Sequence, residues 1–96
     1  MMHVSPPPPA LLLAEELEHA RRHLNRALPI AQRARVFWAA AVQARHLGSA
    51  DVVRADLLAL ARDVGLASDL PGGAETVDHL VRWGVAGLNP FCRMET

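Results

Sequence analysis

The stretch Val53–Leu88, VRADLLALARDVGLASDLPGGAETVDHLVRWGVAGL, carries the pattern that decides the fold. Val53, Leu57, Leu60, Ala61 and Val64 recur at the spacing that places side chains on one face of a helix. Gly65 ends that run. Leu66 to Gly73 (LASDLPGG) reads as a loop, because Asp69, Pro71, Gly72 and Gly73 are turn residues. A second helical period opens near Ala74 and brings Val77, Leu80, Val81 and Gly84 to one face, up to Val85 or Ala86. Gly87 and Asn89-Pro90 terminate it. Two amphipathic helices joined by a glycine-marked loop are therefore expected, and each needs an apolar surface to pack against.

Upstream, Gly48-Ser49 is a stop followed by a start. Glycine suits the end of one helix, serine caps the next, and Asp51 lies in its first turn. The third helix is expected from about Ala50 to Val64. The second is expected from Pro29 to about Leu47, with Ile30, Ala34, Phe37, Ala41 and Ala44 as its stripe. Val36, Trp38, Val42 and Leu47 widen that stripe over much of the circumference, which predicts the central position in the core. Leu28 precedes a proline and is pushed out of the helical region, whereas Pro29 is well suited to begin a helix. The first helix is expected from about Ala10 to Ala27, on Leu13, Leu17, Ala20, Leu24 and Ala27. Its glutamates (Glu15, Glu16, Glu18) come first and its arginines (Arg21, Arg22, Arg26) last, the order the helix dipole favours. Glu18 and Arg22 also form a favourable pair four residues apart.

These elements predict an all-α protein, a compact four-helix domain at residues 10–90 whose last two helices form a pair. Residues 1–9 (MMHVSPPPP) are expected to be a tail, since consecutive prolines favour a polyproline II conformation and donate no backbone hydrogen bonds. Residues 91–96 are expected to be a short C-terminal tail, with Phe91 folding back onto the core.

Composition narrows the functional classes. Hydrophobic residues make up 51% of the 96-residue chain, enough for one packed core and too many for a disordered chain. Isoleucine occurs once and tyrosine never, so strand-forming material is thin. The formal net charge is zero, which argues against a dedicated non-specific nucleic-acid binder. Every basic side chain is arginine. Up to Ala50 there are six arginines against three glutamates, and beyond it four arginines against seven carboxylates. The single cysteine, Cys92, excludes an intrachain disulfide and suits a reducing compartment, so a cytoplasmic location is expected. Neither a signal peptide nor a membrane span is legible, because the apolar runs are short and prolines interrupt the start.

Within Val53–Leu88, Ala61, Gly65, Thr76-Val77 and Leu80 are spaced as in small bacterial helix-turn-helix regulators, and the stretch resembles that family with a lengthened turn. The resemblance covers about a third of the chain. It implies that the last helix enters the major groove, with Glu75, Thr76, Asp78, His79 and Arg82 near base edges. Glu75 and Asp78 would repel phosphate there. Backbone contacts would come from Arg22, Arg26 and Arg33, with Arg21 and Arg35, around Pro29. The DNA-contact candidates of this reading are Thr76, His79, Arg82, Arg22, Arg26 and Arg33.

The preferred reading lies at the other end of the last helix. Trp83, with Val81, Val85 and Leu88, extends an apolar strip beyond what one small domain covers, and exposed aromatic surface marks interfaces. Trp83, Leu88 and Phe91 are the interface candidates, for another protein or for a second copy in a homodimer. Catalysis lacks its parts. Cys92 and His79 have no third group to orient them, and the hydroxyls have turn, cap or terminal explanations, so no enzyme is expected. His19 and His23 are four residues apart with Glu16 beside them, a spacing that can share a metal, but no second such pair completes a bundle site. A solvated face is the simpler explanation, and neither metal nor cofactor is expected.

Overall fold

The computed structural model describes residues 8–24 and 27–91. Arg26, the tail through Pro7 and residues 92–96, with Cys92, lie outside the described residues, as do the expectations placed on them. The chain is all-helical over what is described: α1 (Pro9–His23), α2 (Ile30–Ala44), α3 (Ala50–Asp63), α4 (Leu66–Asp69) and α5 (Ala74–Ala86). Four of these are the expected helices. The fifth, α4, is a single turn inside the stretch read as a loop.

Local chemistry explains most boundaries. α3 is capped by Ser49, whose Oγ accepts the Val52 N–H at 3.3 Å. α5 ends at Gly87, in the left-handed region at φ 75°. The Gly87 N–H reaches the Gly84 carbonyl and the Leu88 N–H reaches the Trp83 carbonyl, the two bonds that a left-handed glycine makes at a helix end. α1 stops at His23, several residues short of the expected Ala27. Leu24 leaves the helical region there, and the chain turns through Leu28 before Pro29 caps α2. α2 ends at Ala44, short of Leu47.

The second helix takes the central place expected of it, packing on α1, α3 and α5. Phe37, Ala41 and Ala44 on α2 are fully enclosed, and they meet Val53 and Leu57 of α3, Leu66 of α4 and Val81 of α5 in one core. Burying a large apolar side chain of this kind contributes about 1.5–3 kcal/mol. Leu66 explains why α4 exists. Its side chain has no exposed surface, and one helical turn after Gly65 brings it into the core. Turn propensity was outweighed there by burial.

α2 and α5 run in the same direction. Arg33, near the start of α2, reaches Asp69 just ahead of α5, while Ala41 and Arg45 lie beside Gly84 and Gly87. The approach at Gly84 is close: a Cβ there would lie 2.4 Å from the Ala41 Cβ and 3.0 Å from the Trp38 carbonyl oxygen. Glycine is what permits this contact. α3 runs the opposite way along α5, with Ala50 and Arg54 by Val85 and Arg82, and with Leu58 and Ala61 by Ala74 and Val77. No helix among the described residues is long and apolar enough to cross a membrane.

Candidate interaction surface

α5 presents two faces of opposite character. Val77, Leu80, Val81 and Gly84 are buried against the rest of the domain. On the outer side stand His79, Arg82 and Trp83, all exposed. The chain then turns at Gly87 and lays Leu88–Phe91 back along α2. Trp38 of α2 anchors this return: its indole N–H donates to the Leu88 carbonyl at 2.8 Å, and its ring meets Phe91 edge-on with centroids 5.7 Å apart. Asn89 Oδ1 accepts the Phe91 N–H at 2.9 Å, and the Arg35 guanidinium lies 5.2 Å from the Phe91 ring centroid. Phe91 therefore serves the frame of this corner, as the expected fold-back requires, and is only partly exposed.

Trp83 and Leu88 are partly uncovered, at 37% and 58% exposure, whereas Val81, expected in the same apolar strip, is buried in the core. The Trp83 ring rests against His79, with centroids 5.4 Å apart. Trp83, Leu88, Asn89 and Pro90 line a groove of about 310 Å³. The corner is thus an apolar surface on a backbone held by the Gly87 cap, the Trp38 hydrogen bond and the Asn89 turn. A surface with its own frame loses little conformational entropy when a partner docks.

The DNA-contact candidates are distributed differently. Arg33 is buried at 7% exposure, its guanidinium donating to Asp69 at 2.8 Å and to the Leu28 carbonyl at 3.3 Å. It is a structural cation tying α4 to α2, and the expectation of a surface contact at Arg33 is corrected accordingly. Sequence alone offered no signal for this, because the partner is 36 residues away. Arg82 bonds Asp78 at 3.0 Å, and Asp78 also takes Arg54 at 2.8 Å. The Thr76 hydroxyl donates to the Pro71 carbonyl. Arg22 is well exposed and lies 3.8 Å from Glu18, while Arg21 reaches across to Asp63 of α3 at 3.0 Å. α3 and α5 pack on one another in opposite directions. Ten residues (64–73) separate these helices, and they include the α4 turn.

Elsewhere, Glu16, His19 and His23 of α1 line a groove with Val36 and Ala40 of α2. The two imidazoles lie with centroids 4.4 Å apart. Among the described residues, no three His, Cys, Asp or Glu side chains converge into a group able to hold a metal ion. Compared with family models, curated proteins and solved structures, the chain matches none of them.

Proposed function

We propose that this protein is a non-enzymatic interaction module that docks at its C-terminal corner, and that the occupant is a second copy of the same chain. The observation that carries the reading is the pairing of an exposed Trp83 and Leu88 with a backbone braced beneath them by Trp38. Tryptophan is the residue most enriched among those that dominate binding energy, and it acts when a partner excludes water from around it. A two-fold axis through the corner would lay the same patch of each copy on the other. The formal net charge of zero puts no long-range repulsion in the way of two copies meeting.

Sedimentation equilibrium over a wide concentration range tests this. The expected result is a monomer–dimer equilibrium that Trp83→Ala and Leu88→Ser each abolish, with unchanged circular dichroism. A protein that stays monomeric at the highest concentration, or a dimer indifferent to both substitutions, refutes it. A titration with mixed-sequence duplex DNA belongs beside it. Salt-sensitive binding weakened by Arg22→Ala or Arg82→Ala would turn the assignment toward the DNA-binding regulator instead.

A further inference from the structure

The groove between α1 and α2 carries chemistry that the docking corner does not use. His19 and His23 stand one helical turn apart on α1 and both are exposed. The His23 Nδ1 lies 2.9 Å from the His19 carbonyl oxygen. A carbonyl only accepts, so Nδ1 is the donor in this contact, and in the neutral ring Nε2 is then the nitrogen with a lone pair for another partner. Histidines that bind metals show this arrangement: one ring nitrogen donates to a backbone carbonyl, which fixes the ring, and the other ligates. Glu16 lines the same groove and places negative charge nearby, while Val36, Ala39 and Ala40 give it an apolar wall. The cation of Arg22 on the same helix opposes this, but its guanidinium is directed to Glu18.

The other described histidines are engaged elsewhere. His46 Nε2 accepts from Arg45 at 3.0 Å, and His79 rests on Trp83. We propose that His19 and His23 form an open, two-imidazole site for a borderline divalent metal such as Zn²⁺ or Ni²⁺. Paired imidazoles select these ions over Mg²⁺ and Ca²⁺, which take oxygen ligands. Two protein ligands leave the remaining coordination positions to water. The site spans the last turn of α1, so an ion bound there would hold the helix end just before the chain turns at Leu24.

Isothermal titration of the full chain with ZnCl₂ and with NiCl₂, with MgCl₂ as the control, tests the proposal. One ion per chain is expected for zinc and nickel and none for magnesium. His19→Ala or His23→Ala should each weaken binding by roughly tenfold or more. His46→Ala and His79→Ala should leave it unchanged. Both α1 histidines are exposed, so these variants should melt like the parent in the absence of metal. Two-dimensional NMR should place the zinc-induced shifts on the His19 and His23 rings. Binding should also fall in acid, because ligation needs unprotonated imidazole. The proposal is overturned by absence of zinc and nickel binding, by binding that survives both α1 substitutions, or by binding lost with His3→Ala, His46→Ala or His79→Ala instead.

Discussion

Trp83 and Gly84 are adjacent in the chain and opposite in setting. Gly84 sits against α2, at a point where even a methyl group would collide with Ala41. Trp83, one residue earlier, points away from that contact and keeps over a third of its surface exposed. The smallest side chain occupies a close helix–helix contact, and the largest stands partly clear of the domain. Helical geometry makes this possible, because successive residues are turned by about 100° around the axis. Trp38 sharpens the contrast. It is the same residue type on the neighbouring helix, but its N–H has a partner and its ring has Phe91. A tryptophan with both its polar tip and its ring engaged belongs to the fold, whereas Trp83 keeps exposed ring surface that a partner can cover.

The largest effect is expected on the inner face. Gly84→Val should destabilise the domain by about 3 kcal/mol, because the added atoms force α2 and α5 apart. Urea denaturation checks this, and a variant as stable as the parent would break the account of the α2–α5 contact. Next comes the tie between α2 and α4. Arg33→Ala should cost about 2 kcal/mol, less than a fully buried pair because Asp69 keeps some contact with solvent. Thermal melts measure the loss, and hydrogen exchange should show α4 opening before the rest.

A smaller effect, about 1 kcal/mol, is expected for Trp38→Phe, which removes the hydrogen bond to Leu88 and keeps most of the ring. That variant also leaves Trp83 as the only fluorophore. At dilutions where the chain is monomeric, acrylamide should quench it more strongly than it quenches Trp38 in the Trp83→Phe variant, and equal quenching would erase the distinction between the two. The smallest change in stability is expected for Leu88→Ser, within about 0.5–1 kcal/mol, because Leu88 is mostly exposed. The same substitution should abolish self-association, so stability and assembly separate at this residue.

Much of this molecule can be read from residue types. Ser49 caps α3 as its side chain suggests, Gly87 ends α5, and Pro29 marks the break between α1 and α2. Helical spacing identified Phe37, Leu57, Leu60 and Val81 as inward, and each is buried. The fold-back of Phe91 was also foreseeable, since an aromatic after a Gly and Asn-Pro break has an exposed apolar ring to shelter. The α4 turn was not legible, because four residues carry too little period to outweigh turn residues. Arg33 was read as a surface cation for a related reason: a guanidinium on a helix is normally solvated, and only Asp69 and the Leu28 carbonyl make its burial tolerable.

What the sequence determined by itself is the set of amphipathic helices and the points where they start and stop. Period, caps and prolines act within a few residues, so they survive in a linear reading. The tertiary structure alone decided which of two neighbouring residues on α5 would be enclosed, which arginine would be buried and which tryptophan would be held. Those outcomes depend on side chains from α2, α4 and the C-terminal turn arriving at one place. Contact energies across such sequence distances exist only once the helices have packed.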